Sequence, residues 1–220
     1  MRVGHTFSFF VAATLFLLGT ADPAYAQEPP VDISGDWFGG GGPSGRVAGP
    51  PALSARGQAV SDEFDAAYDP HNQCVQAGLA RHLTTPYPMR IEQYPDRVLI
   101  IFEEWEIVRT VHLDVEAPEN IGLRGMGYSV GYYEGDELVV VTTGLLPGLA
   151  RLANYFWHTS DQSIIEERFS RTEDGKLFQV AVLTDPLYLA EPWRMERTYG
   201  HYEHGLLSFG CELRGRRRSE

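Results

Sequence analysis

The sequence predicts an all-β protein, an antiparallel up-and-down barrel with one short N-terminal helix. Three observations carry this. After Pro88 the apolar residues recur with a period of two over a series of short runs. The runs are separated by "YPDR", "YEGDE", "TEDGK" and "YEHGL", turns of hairpin length in which Asp or Gly supplies the unusual backbone angles. Only residues 54–67, "SARGQAVSDEFDAA", read as a helix, with Ser54 as its N-cap. Many sequential strands with little helix favour closure, because closing a sheet removes its edges. A two-sheet sandwich is the alternative.

The chain opens with one Arg, an apolar run from Phe7 to Leu18, and Ala24-Tyr25-Ala26. That is the layout of an export signal cut after Ala26, leaving a single barrel domain over residues 27–220. The run is too short to span a bilayer comfortably, so no stable membrane insertion is expected, with an uncleaved anchor as the alternative. The protein is expected to be periplasmic or secreted. "DISGDW" then leads into "FGGGGPSGRVAGPP", where Gly and Pro forbid regular structure. Beyond the helix, "YDPHNQCVQAGLARHLTTPYP" reads as a long ordered loop. The expected strands are Met89–Tyr94, Val98–Leu113, Met126–Tyr133, Glu137–Thr143, Ser163–Arg171, Leu177–Leu183, Trp193–Tyr202 and Leu206–Leu213.

Composition excludes some functions. The formal charge is −12, and the one basic cluster is the terminal "RGRRR", so nucleic acid is not an expected partner. A homo-oligomer is compatible with the sequence. Cys74 and Cys211 are the two cysteines, an even pair in an oxidising compartment. They read as a disulfide tying the early loop to the last strand, with two buried thiols as the alternative.

"LIIFEEWEIVRTVHLD", Leu99 to Asp114, poses the functional question. Read as one strand, its apolar face carries Glu103, Trp105 and Arg109. The two ionisable groups would stand on that face about 20 Å apart, each needing a partner or a use. "IIEERFSR" repeats the pattern, with Ile165, Glu167, Phe169 and Arg171 on one face and Glu166 and Arg168 on the other. In "WRMERTY", Trp193, Met195, Arg197 and Tyr199 share a face. Cross-strand ion pairs around a barrel are one reading. The other is a cavity lined by aromatic and charged groups that orient a ligand.

His158, in "NYFWHTS", falls between strands where a barrel mouth would lie, and an imidazole titrates near neutrality. Ser129 and Ser160 lack the surroundings of a nucleophile elbow. His71, Cys74 and His82 fit no zinc spacing, and His201 and His204 sit near a turn, so no metal is expected. Gly39 to Gly42 lacks the following Lys-Ser or Lys-Thr of a phosphate loop, and no cofactor is expected.

Several stretches together resemble a family of exported, mostly uncharacterised proteobacterial proteins: "DISGDW", Asp69-Pro70 with Cys74, "PYPMRI", Glu103 with Arg109, "GYSVGYYEGDELVVVTTG", "HTS" with "EERFSR", Asp185-Pro186, Pro192-Trp193 and Cys211-Glu212. The run from Gly127 to Gly144 is the most specific, similar to G-H-S-x-G-x-W-E-G-D-x-L-V-V-D-T. It departs from that pattern at Tyr128 for His, Tyr133 for Trp and Val141 for Asp. If that His is catalytic in relatives, this chain works differently. The opening Gly-x-Trp also resembles the first strand of lipocalins, and the resemblance implies a lipocalin-like barrel.

The expected function is cofactor-independent acid–base chemistry, of lyase, isomerase or cyclase type, on a small hydrophobic or aromatic molecule held inside the barrel. Glu103 is the expected base and His158 the acid or proton shuttle, with Arg109 and Tyr128 holding an oxyanion or carboxylate. Tyr87, Trp105, Tyr132, Glu167, Arg168, Phe169, Arg197 and Tyr199 are the expected ligand contacts. A non-catalytic carrier of the same ligand is the rival, and a surface interaction module the third possibility.

Overall fold

A computed structural model describes residues 29–39, 46–209 and 211. The export signal, most of the glycine run and the basic tail lie outside these residues. Twelve strands are described: β1 Gly35–Phe38, β2 Arg46–Val47, β3 Met89–Gln93, β4 Arg97–Phe102, β5 Ile107–Leu113, β6 Tyr128–Glu134, β7 Glu137–Thr143, β8 Gly148–Leu152, β9 Tyr155–Thr159, β10 Ile164–Arg171, β11 Leu177–Thr184 and β12 Trp193–His201. Two helices accompany them, α1 Ala55–Asp62 and α2 Leu79–His82.

Nine of the strands close into a barrel in the order β1-β3-β4-β5-β6-β7-β10-β11-β12, with β1 returning to β12 through Trp37 opposite His201. The short β2 pairs with β12 as an addition to this ring. Closure satisfies backbone donors and acceptors that an open sheet would leave at its edges.

The sheet is mixed, which corrects the purely antiparallel expectation. β5 and β6 run parallel, from Val111 opposite Ser129 to Leu113 opposite Gly131. Parallel neighbours cannot be joined by a tight hairpin, so residues 114–127 carry the chain back to the other end. The up-and-down order is also interrupted between β7 and β10, where β8 and β9 form a separate hairpin.

Alternation sorts the side chains. On β10, Ile165, Glu167 and Phe169 are buried, and on β12 Trp193, Met195, Arg197 and Tyr199 are buried, as the period of two requires. Arg171, expected on the same face, is instead exposed at the end of β10, with its guanidinium 4.7 Å over the Trp37 ring. Trp37 of "DISGDW" joins this interior and donates its indole N–H to Ile33 O at 2.9 Å, while Asp36 points outward to Arg90. The interior of a barrel this size fills with side chains. The space left among them, bounded by Leu79, Phe102, Arg109, Glu167, Phe169 and others, is about 10 Å³. Among the described residues, that space is too small to hold a ligand.

The expected strand Val98–Leu113 is two strands. The chain turns back at residues 103–106, where Trp105 and Glu106 take φ of 67° and 52°. Ile100 thereby faces Arg109 across β4 and β5. The reversal also shifts the parity: Val98, Ile100 and Phe102 face inward on β4, whereas Arg109, Val111 and Leu113 do so on β5.

Two further corrections concern the ends of the pattern. Residues 206–209, expected within a last strand, are irregular, and His158 lies in β9 rather than in a loop. The helix is as expected at its start: Ser54 caps α1 by accepting from Gly57 N–H at 3.0 Å. Gly57 is required there, since a Cβ would stand 2.1 Å from Tyr188 O. α2 was not foreseen; its four residues are all buried, and Leu79 and His82 reach the barrel interior.

Candidate functional site

Arg109, Ser129, Thr142, Glu167, Gln179 and Tyr199 form a hydrogen-bonded network inside the barrel, in which Arg109 Nη1 makes no hydrogen bond among the described residues. Arg109 donates to Ser129 Oγ at 2.9 Å and Thr142 Oγ1 at 2.7 Å, and it pairs with Glu167 through Nη2. Gln179 Nε2 donates to Glu167 Oε1 at 2.8 Å, and Tyr199 OH donates to Gln179 Oε1 at 2.5 Å. Arg109 and Glu167 are 2 % and 1 % exposed, so they need one another. The space that both residues border is about 10 Å³, too small for a substrate.

A cleft of about 350 Å³ lies instead beside α2, the segment 84–87 and the β8–β9 hairpin. That volume is at the lower end of the range of about 300–1,000 Å³ for small-molecule sites. Its chemistry centres on Glu104, 4 % exposed. Glu104 Oε2 accepts from Thr85 Oγ1 at 2.6 Å. Its Oε1 lies 3.5 Å from His71 Nε2, and its Oε2 lies 3.7 Å from His82 Nε2. Tyr87, Arg81, Arg151 and Arg197 complete the functional wall.

Each group has a physical reason for its position. The turn at 103–106 sends Glu103 and Glu104 to different partners. The loop before α2 carries His71, and Asp69 secures it by accepting from His71 N–H at 3.1 Å and pairing with Arg81 at 3.0 and 2.8 Å. His82 Nδ1 donates to Gly78 O at 3.0 Å in the neutral imidazole, which turns Nε2 toward Glu104 as the unprotonated nitrogen. Trp105 meets the His71 ring edge-on at 5.3 Å.

Electrostatics keeps the imidazoles neutral. Burial, then the Arg81 guanidinium, pushes the His71 pKa down, against the opposing pull of Glu104 and Asp69. Burial also lowers His82, opposed by the Gly78 carbonyl and Glu104. The Tyr87 phenol is raised by burial and by the nearby Glu104 and Glu103 carboxylates. The contacts of Glu104 with the two histidines are therefore carboxylate–imidazole contacts at neutral pH, not full ion pairs.

His158 is lowered by burial as well. These three depressed values make stability depend on pH in a defined sense. The unfolded chain takes up protons near pH 6.5, whereas the folded protein does so only at lower pH. The stabilisation is thus complete above that pH and is lost as pH falls. The urea midpoint is expected to drop between pH 7.5 and pH 5.5; an unchanged or higher midpoint at pH 5.5 contradicts it.

The residues singled out from sequence are dispersed. Glu103 accepts from Leu207 N–H at 2.9 Å and anchors the C-terminal segment. Tyr128 stacks on His112 at 4.8 Å on the outer wall. Tyr132 and Arg168 line an outer groove of about 180 Å³, where Arg168 pairs with Glu134 and Glu137. His158 packs against Phe64 at 5.8 Å beside α1. Arg109, Glu167, Phe169 and Tyr199 belong to the filled interior. Tyr87 and Arg197 line the cleft, and Trp105 stands behind His71.

Ser160 has a structural task, donating to Asp185 Oδ1 at 2.9 Å. Among the described residues no group of three or more His, Cys, Asp or Glu side chains is placed to hold a metal ion.

Glu104, Thr85 and Arg151 are cleft residues that sequence reasoning missed, and His71, together with His82 buried beside Glu104, was weighed there only as a metal ligand. Strict alternation sends Glu104 outward. The available signal was "EEWE", three carboxylates in four residues inside an apolar run, which marks a break in the strand. Comparison of the chain with known protein families, curated proteins and solved structures finds no match.

Proposed function

We propose that the protein is an exported enzyme that performs cofactor-independent acid–base chemistry on a small molecule in the cleft around Glu104. The single observation that carries this reading is a buried carboxylate beside two neutral imidazoles, opening on a cleft of ligand size. A buried His–carboxylate pair is suited to proton transfer, because the carboxylate orients the ring and stabilises the imidazolium that forms.

In this reading His71 is the base. Glu104 Oε1, 3.5 Å from its Nε2, favours the proton on that nitrogen and leaves Nδ1, buried and without a hydrogen-bond partner among the described residues, as the basic nitrogen. His82 Nε2 is a second proton acceptor next to the same carboxylate. Tyr87, kept protonated, is the acid facing the substrate. The Cys74–Cys211 bridge supports export to an oxidising compartment. Among the described residues no helix is long and apolar enough to cross a membrane.

A carrier of the same ligand is the second reading, favoured by the modest size of the cleft. The test joins two measurements. Native mass spectrometry of protein isolated from its own host should reveal a retained small molecule, which identifies the compound to assay. Glu104→Gln and His71→Gln should then lower turnover by about 10²–10⁴-fold with binding retained. Full turnover in both variants overturns the proposed base, and binding without any conversion by wild type leaves the carrier.

A further inference from the structure

Resting on that acid–base reading of the cleft, we propose that its ligand is a small organic acid whose single carboxylate is held by Arg151. The argument is one of charge. Three guanidinium groups, those of Arg81, Arg151 and Arg197, border the cleft. Two of them are already committed. Arg81 is answered by both oxygens of Asp69. Arg197 donates to Thr85 O at 2.7 Å and lies 4.7 Å over the Tyr199 ring.

Arg151 differs. Its Nε donates to Ala153 O at 2.5 Å and its guanidinium lies 5.1 Å from the Phe156 ring centroid. Among the described residues it pairs with no carboxylate. The carbonyl and the aromatic face fix the guanidinium plane and leave its Nη atoms to meet a planar, two-oxygen acceptor.

The balance of charge sets the valence of the ligand. Among the charges that line the cleft, with Arg81 cancelled by its partner Asp69 and the imidazoles neutral, Glu104 offsets one of the two remaining guanidinium charges; Glu103 is turned to the Leu207 N–H and does not line the cleft. One positive charge is left over. A monoanion closes that account, whereas a phosphate dianion exceeds it and a neutral molecule leaves it open. The protein as a whole carries −12, so a cationic cleft must draw its anion by local field rather than by net charge. Tyr87, which also lines the cleft, suits an aromatic or unsaturated acid, which keeps the apolar character expected of the ligand.

The probes are benzoate, benzamide and phenyl phosphate, titrated calorimetrically into the purified protein. Benzoate should bind at least about tenfold tighter than the other two, the value of a charge-assisted pair over a neutral contact. Arg151→Gln should reduce benzoate to the level of benzamide and leave benzamide unchanged. Glu104→Gln, which removes a like charge, should hold benzoate as well as or better than wild type. Equal binding of benzoate and benzamide, tighter binding of phenyl phosphate, no binding of benzoate, or an Arg151→Gln variant that keeps the preference each overturns the proposal. Full turnover in Glu104→Gln and His71→Gln would remove the acid–base reading while leaving these affinities as they are, so the two failures are distinct.

Discussion

Replacing Arg109 with alanine is expected to destabilise the folded protein by about 3–5 kcal/mol, because it strands the buried Glu167 carboxylate without its partner. Glu167 would keep only the hydrogen bond from Gln179 Nε2, in a setting where it is 1 % exposed. Ser129 and Thr142 would also lose the guanidinium that they both accept from, although their hydroxyls remain 2.9 Å apart and can bond one another. Glu167→Ala should be comparably costly for the converse reason.

The two charges removed together should cost much less. Arg109→Met with Glu167→Leu eliminates both desolvated ions and replaces them with apolar volume, a change that is often neutral or stabilising in other proteins. Gln179 is the remaining expense, since its amide loses an acceptor while its oxygen still receives Tyr199. Urea unfolding of the two single variants and the double variant gives the coupling directly. Single variants within about 1 kcal/mol of wild type would mean that the pair is not buried as described.

The second large effect is expected from the disulfide. Cys74 and Cys211 are 137 residues apart, with Cα atoms 5.7 Å apart in the fold. In the chain-entropy picture, releasing a loop of that length from the unfolded ensemble costs about 5 kcal/mol of stability. Changing both cysteines to serine should therefore lower the unfolding free energy by up to that amount, measured by guanidinium titration. A loss below about 1 kcal/mol would show that the unfolded chain is already compact enough for the tie to matter little.

The same bridge also ties two walls of the cleft together. Cys74 ends the short turn Pro70–Gln73 that holds His71. On the other side, Phe209 packs 4.9 Å from Tyr87 and 5.8 Å from Trp105, and Leu207 is held by Glu103. The covalent link thus braces the base and the phenol of the proposed site from opposite directions. The serine variant should bind a cleft ligand more weakly even under conditions where it remains folded.

These particulars separate what was legible in the sequence from what was not. Alternation along β10 and β12 placed Glu167, Phe169, Arg197 and Tyr199 inward and Arg168 outward without any knowledge of the fold, because side-chain direction in a strand is a local property. The Ser54 cap was equally local. The pairing of two cysteines was legible because there was no third to compete.

Wherever the local pattern broke, the tertiary structure decided. Two successive left-handed residues at 105 and 106 reversed the chain inside what alternation reads as one strand, which exchanged Glu104 for Glu103 as the residue facing the cleft. The parallel pairing of β5 with β6 depends on a long connection rather than a turn motif, and nothing local marks it. Most consequentially, His71, His82, Glu104 and Arg151 come from separate segments. Their meeting is a product of barrel closure and of α2 packing over one end. Spacing along the chain carries no record of that, since the forces that assemble the cleft act between residues distant in sequence.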